Sequence, residues 1–164
     1  MKKFLVSLLA MLIACCVFCF PMAQAEQETT GILISREVEY LEDGSKIVTC
    51  VYEDISNQRI ATAATVTKSG SKTQTAYDSD GDVLYTLTVH GTFSVVTGSS
   101  ATCTASSYSY TAPGSGWSLK TGSATKSANK ATANGTFVKK VLGITTQTKT
   151  ASVTLTCSTS GTLS

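Results

Sequence analysis

Fourteen residues, Val83 to Val96, constrain what this chain can become more than any other stretch. Every second one is apolar or glycine: Val83, Tyr85, Leu87, Val89, Gly91, Phe93, Val95. Between them stand Leu84, Thr86, Thr88, His90, Thr92, Ser94 and Val96, most of them hydroxylic. Side chains of a strand alternate between two faces, so this pattern reads as one long β-strand with a buried face and a wetter one. Gly91 interrupts the buried row and predicts a bulge or bend.

The rest of the chain follows the same rhythm. Outside the first twenty-five residues no stretch places apolar side chains at i, i+3, i+4 and i+7, so no amphipathic helix is expected. Strands are predicted over Ile32–Tyr40, Lys46–Glu53, Ile60–Thr67, Thr73–Tyr77, Ala101–Ser107, Trp117–Ser127, Lys130–Lys139 and Thr145–Ser158. Asp43-Gly44 is a hairpin signal. Lys68-Ser69-Gly70-Ser71, Asp78-Ser79-Asp80-Gly81, Thr97–Ser100 and Ala128-Asn129 read as further turns, and Tyr110–Gly116 as a loop around Pro113. Many short strands at regular spacing predict an all-β fold. The expected form is an antiparallel β-sandwich, immunoglobulin-like or Greek-key, with an open barrel as the alternative.

Residues 1–25 have the layout of a secretory signal. Lys2 and Lys3 precede an apolar run from Phe4 to Phe20, then Pro21 and the small-residue site Ala23-Gln24-Ala25. Cleavage after Ala25 leaves residues 26–164 as one domain, with 26–31 as a flexible lead and no membrane span. Leu12-Ile13-Ala14-Cys15 is also similar to a bacterial lipobox, and acylation at Cys15 would anchor the protein as a lipoprotein. The apolar run continuing past Cys15 to Phe20 fits ordinary cleavage and secretion better.

A short echo runs through the domain. Thr88-Val89-His90-Gly91-Thr92-Phe93 is matched by Thr132-Ala133-Asn134-Gly135-Thr136-Phe137, and each is followed by a return strand carrying Thr-Cys at 102–103 and 156–157. The reading is two similar hairpins, one to each sheet. Cys103 and Cys157 both fall in phase with apolar neighbours and are expected to point inward, where they could bridge the sheets. With Leu41-Glu42-Asp43-Gly44-Ser45, the Gly-Thr-Phe strand, Ser100–Cys103, Trp117, Leu142-Gly143-Ile144 and the ending Leu155-Thr156-Cys157, the chain resembles small secreted β-rich proteins of Gram-positive gut bacteria. The group it resembles has no assigned activity, so the resemblance supplies no catalytic residues. It implies the Cys103–Cys157 pair, with Cys50 as a departure.

Chemistry-bearing residues are few. His90 is the only histidine. It rules out a multi-histidine metal site and reads as a surface or rim residue, although a lone His beside a Ser can in principle act as a base. Asp78, Asp80 and Asp82 surround Gly81 but lack the remaining spacing of a calcium loop, so a hairpin turn is expected. Asn134-Gly135-Thr136 has the form of a glycosylation sequon but falls within a predicted strand. No metal or cofactor and no nucleic-acid contact is expected. Tyr108, Tyr110 and Trp117 around the Pro113 loop form a candidate stacking platform for a sugar ring, the alternative being that Trp117 packs into the core.

All eleven acids lie before Val83, whereas Lys120, Lys126, Lys130, Lys139, Lys140 and Lys149 follow it with no acid among them. If those lysines share a face, it could meet anionic wall polymer or mucin, with Lys139 and Lys140 the most exposed pair. The expected function is therefore a non-catalytic binding or adhesion module for cell-wall polymer, mucin or glycan. The alternatives are a hydrolase drawing two carboxylates from residues 26–82, or a self-associating structural protein.

Overall fold

The computed structural model describes residues 31–55 and 65–164. The signal sequence, the Cys15 site, residues 26–30 of the lead and the first part of the strand predicted over Ile60–Thr67 lie outside the described residues.

Among the described residues the chain forms eight strands and no helix: β1 (Gly31–Tyr40), β2 (Lys46–Asp54), β3 (Thr65–Tyr77), β4 (Val83–Val96), β5 (Ser100–Thr111), β6 (Trp117–Ser127), β7 (Lys130–Val141) and β8 (Ile144–Thr156). They make two antiparallel sheets, five strands in the order β1-β2-β3-β4-β5 and three in the order β6-β7-β8. The sandwich is as expected, and neither sheet closes into a barrel. Its connections differ from the expectation. Each sheet is a plain meander of consecutive hairpins, with no Greek-key or immunoglobulin-like crossover among the described residues. The chain changes sheet once, between β5 and β6, in the segment holding Pro113.

β4 is the central strand in packing as well as pattern. Tyr85, Leu87, Val89, Phe93 and Val95 are buried, and the hydroxylic residues between them are half-exposed. From the small sheet, Ala131, Ala133 and Phe137 of β7 and Ala151, Val153 and Leu155 of β8 meet them. Tyr85 stacks on Phe137 with ring centroids 4.0 Å apart, and Trp117 lies against the same tyrosine at 5.6 Å. Removing these rings and the aliphatic side chains around them from water drives the joining of the sheets.

The internal echo has a structural counterpart. The two Gly-Thr-Phe segments sit in β4 and β7, each paired on both sides within its own sheet. At Gly91 an added Cβ would sit 2.8 Å from the Phe93 ring, and at Gly135 3.1 Å from the Phe137 ring. Each phenylalanine folds back over the glycine two residues before it, so a side chain at Gly91 would displace the ring and one at Gly135 would press on it. The bulge predicted at Gly91 falls elsewhere. Gly91 pairs regularly with Gly70 of β3, and the register shift lies on the β5 side, between Thr92 and Phe93.

Two further corrections concern strand limits. Lys68-Ser69-Gly70-Ser71 is not a turn but the middle of β3, paired in unbroken register with β4. The glycine there serves close approach: a Cβ on Gly70 would meet the Tyr52 carbonyl and the Leu163 side chain. β5 runs on to Thr111, so Tyr108 and Tyr110 belong to a strand and not to the Pro113 loop.

Candidate functional site

The residues singled out by sequence separate in space. Trp117 is 7 % exposed and belongs to the core, which overturns the exposed stacking platform. Tyr108 lies across Gly122, where an added Cβ would meet its ring at 2.6 Å. Tyr110 is 49 % exposed, with its ring edge-on to Phe137 at 6.3 Å. The three aromatics therefore form no common surface. Alternation with Ser107 and Ser109 turns Tyr108 and Tyr110 to the same side of β5, where Tyr108 is half-buried and Tyr110 stays half-exposed.

The six lysines do not share a face either. Lys130 opens β7 and Lys139 and Lys140 close it, so they stand about 30 Å apart at the strand's rise of roughly 3.3 Å per residue. The Lys126 ammonium donates to the Thr104 carbonyl. Lys149 comes near enough to Asp43 to help hold that carboxyl below its ordinary range, though the larger cause is the hydrogen bonding from Ser45. Lys139 and Lys140 are successive residues and project to opposite sides of β7, Lys140 exposed and Lys139 half-buried. The sequence split of charge is thus undone by the fold, which brings Lys139 and Lys149 to the same end as Asp43, Asp78 and Asp82 and leaves Lys126 and Lys130 at the other.

One groove does gather predicted residues. Trp117 and Lys139 are direct ladder partners. They face Asp78, Asp82 and Leu84 of the large sheet across a groove of 340 Å³, with Pro113, Gly114 and Ser115 along its rim. It is the mouth of the sandwich at the end where the β3–β4 turn and the β5–β6 connection meet. Gly114 is held by donating its N–H to the Leu84 carbonyl at 3.2 Å. The Asp78–Asp82 turn forms as expected: one carboxylate oxygen of Asp78 accepts the N–H groups of Asp80 and Asp82 at 3.1 and 2.8 Å. The indole Nε1 of Trp117 is buried and has no hydrogen-bond partner among the described residues. Sequence reasoning missed both aspartates as groove residues, because their turn chemistry already explained them.

A second, larger concavity lies on the outer face of the small sheet, with a volume of 520 Å³. The registers place Thr121, Thr136 and Thr150 in one row across β6, β7 and β8, and Ser123, Asn134 and Ser152 in the next. Gly122, Gly135 and Ala151 form the row between, facing the other way. The result is a trough presenting six uncharged hydroxyl and amide side chains. Asn134, the residue of the sequon, is exposed at its centre.

The outer face of the large sheet is also hydroxylic but largely satisfied within itself. Thr73 and Thr88 share a hydrogen bond at 2.9 Å, Thr86 and Thr111 at 2.8 Å, and Ser69 donates to Thr92 at 3.3 Å. His90 is half-buried there, deeper than a rim residue, with Nε2 3.0 Å from the Ser109 hydroxyl. Burial lowers its pKa, and the Asp54 charge partly opposes that. Next to it in the ladder Ser71 is 1 % exposed, and its hydroxyl has no partner among the described residues.

At the far end from the mouth, Cys103 and Cys157 point inward as expected. Each is fixed by its backbone to the β6–β7 turn: Cys103 N–H donates to the Ala128 carbonyl at 2.7 Å and Cys157 N–H to that of Asn129 at 3.0 Å. The bridge between them is not formed. Both are free thiols, as is Cys50, and burial pushes the thiols of Cys103 and Cys157 up from their ordinary pKa. A disulfide needs a defined separation and orientation of the two Cβ atoms as well as a shared interior, and sequence phase fixes only the latter.

No protein-family model, curated protein or solved structure matches this chain.

Proposed function

We propose that the domain is a non-catalytic binding module for neutral glycan chains, acting at or outside the cell surface through the outer face of its small sheet. The observation that carries this reading is the uncharged trough of Thr121, Ser123, Asn134, Thr136, Thr150 and Ser152. Hydroxyl and amide groups both donate and accept, as the hydroxyls of a sugar chain do. The rows stand about 7 Å apart along the strands and about 4.8 Å apart across them, so several sugar hydroxyls can be met at once. The dispersal of the lysines argues against binding anionic polymer by charge alone.

The test is retention of the protein on immobilised wall polysaccharide and mucin. Retention that survives a rise in salt from about 0.1 M to about 1 M, where screening shortens from about 10 Å to about 3 Å, is the expected result. Replacing Asn134 and Ser152 together with Ala lowers it several-fold without changing the fold. Retention that collapses with salt transfers the function to the lysines, and equal retention by the double variant removes the trough from consideration.

One observation favours a second reading, a glycoside hydrolase: Asp78 and Asp82 line the same groove. That chemistry needs one carboxyl kept protonated by apolar burial and a second one ionised across the bond. Asp82 is exposed and one oxygen of Asp78 is committed to its turn, so the binding reading is preferred. Release of aryl aglycone from chromogenic glycosides, lost on Asp82→Asn, would reverse that preference.

A further inference from the structure

We infer that the mouth groove is a site for a small zwitterion of the α-amino-acid type, its ammonium held at Asp78 and Asp82 and its carboxylate at Lys139 and the Trp117 indole. This site is separate from the trough and independent of the glycan reading.

The groove is electrically divided. Its acidic wall, Asp78 and Asp82, comes from the large sheet, and its one ammonium, Lys139, comes from the small sheet. These opposite charges do not pair with one another: the ion pair among the described residues is Lys68 with Glu53, at the other end of the sandwich. Asp82 accepts no hydrogen bond at its carboxylate among the described residues, and Asp78 keeps one oxygen uncommitted. Two unpaired walls of opposite sign, with space between them, match a ligand that carries both signs a short distance apart. A neutral sugar would satisfy the hydrogen bonds but leave both charges uncompensated.

The indole supplies the independent indication. Trp117 is more than nine-tenths buried, yet its N–H meets no acceptor among the described residues. Buried donors are almost always paired, because an unmet one has lost its water and gained nothing in return. The edge of the ring that bears this N–H lies under Gly114. A Cβ there would sit 2.9 Å from Trp117 Cδ1 and 2.9 Å from the Leu84 carbonyl oxygen. Only a residue without a side chain lets the rim rest on the indole at that height. A ligand carboxylate entering between Gly114 and Lys139 meets the ammonium, and it completes the indole once Gly114 is displaced from above the N–H. The volume, 340 Å³, is at the small end of ligand pockets, which suits an amino acid better than a chain of sugars.

Trp117 is the chain's only tryptophan, so its emission reports on the groove directly. The probes are alanine, N-acetylalanine (no ammonium), alanine amide (no carboxylate) and glucose, with calorimetry as a second readout. Alanine is expected to change the emission saturably. Either capped analogue binds about tenfold weaker, the loss of one charge-assisted contact, and glucose gives no response. Lys139→Gln makes alanine and alanine amide equivalent, and Asp82→Asn does the same for alanine and N-acetylalanine. Asp82 is the better choice for substitution, since Asp78 also holds the turn. Equal binding of alanine and both analogues, a response to glucose alone, or no saturable response to alanine by either readout overturns the proposal. Far-ultraviolet circular dichroism confirms that each variant keeps its strands.

Discussion

The two ends of this sandwich are closed by different means. At the cysteine end the backbone does the work. Cys103 and Cys157 hang from the carbonyls of Ala128 and Asn129, and the Asn129 amide donates back to the Cys157 carbonyl at 2.7 Å. The last residues return to the sheet as Thr156 and Ser164 exchange both backbone hydrogen bonds, at 2.8 and 3.0 Å, which drives Leu163 into the core. At the mouth end the closure is made of turns. The Asp78–Asp82 turn, the Pro113–Gly116 segment and the β7–β8 hairpin meet there, with Asp82 exposed, Lys139 half-buried and the indole N–H unmet among the described residues. Buried backbone groups that are fully paired stabilise a structure, whereas unpaired side chains cost stability and are available for recognition. The contrast teaches that one end holds the fold and the other is free to bind.

The largest effect that could break this contrast is expected at Leu163. It is 2 % exposed and reaches Gly70 across the sheet interface, so Leu163→Ala leaves a cavity and should cost about 2–4 kcal/mol in urea unfolding. A loss below about 1 kcal/mol would mean that the tail is ornamental and the ends are alike. Next in size is Asn129→Ala. It removes the amide that satisfies the Cys157 carbonyl and should cost about 1–2 kcal/mol. Little change would show that the backbone bonds alone secure that end.

Thiol reactivity sharpens the same comparison without altering a residue. Cys103 and Cys157 are buried at the sealed end with pKa values raised chiefly by desolvation, whereas Cys50 is half-buried on β2. The thiolate is the reacting species, so an alkylating agent at neutral pH, added without reductant, should modify Cys50 first. The other two should follow only at the rate at which the sealed end opens. Mass spectrometry of the time course checks this, and early label on Cys103 or Cys157 would show that the end breathes.

His90 offers a pH test. Its folded pKa lies below the ordinary 6.5 because burial disfavours the charged ring, with Asp54 offsetting part of that effect. Folding therefore favours the neutral form. The contribution is complete above the unfolded pKa, begins to be lost as pH falls below about 6.5, and levels off once pH is under the folded value. His90→Gln should flatten stability across that window, since an amide keeps a hydrogen bond to Ser109 and does not titrate. An unchanged pH profile would assign the acid sensitivity elsewhere.

Much of the fold was legible because it depends on neighbours in sequence. The alternation of β4 gave a strand with the limits observed, and Asp43-Gly44 and the Asp78–Asp82 segment gave turns with local hydrogen bonds. The repeated Gly-Thr-Phe pointed to one equivalent strand in each sheet, and the two segments do fall in different sheets. What sequence could not show was contact between distant residues. Lys68–Ser71 has the composition of a turn, yet Gly70 is small because Tyr52 and Leu163 crowd it from 18 residues before and 93 after. The strand read over Ala101–Ser107 runs on to Thr111, because Tyr108 and Tyr110 have glycine and phenylalanine to pack on. The mouth groove draws on residues 78, 82, 114, 117 and 139. The pairing of Trp117 with Lys139 depends on a register set at the Ala128–Asn129 turn and shifted by the bulge at Lys120. No local pattern carries that information.

The smallest effect is expected at the tip of the mouth end, and its sign is the informative part. Leu142 is 98 % exposed, with φ of 51°, and Gly143 follows with φ of 81°. Two central residues of positive φ make a tight hairpin turn, in which Asn-Gly is the favoured pair and a bulky side chain at the first position is strained. Leucine therefore gains nothing from burial here and adopts a backbone that suits it poorly. Leu142→Asn should raise stability by about 0.5 kcal/mol, a shift of about 2 °C in Tm for a domain of this size. The same kind of residue would then have opposite value at the two ends: Leu163 is required by packing, and Leu142 is retained against local preference. A fall in Tm on Leu142→Asn would instead show that this side chain makes a stabilising contact, and the mouth end would have to be regarded as closed.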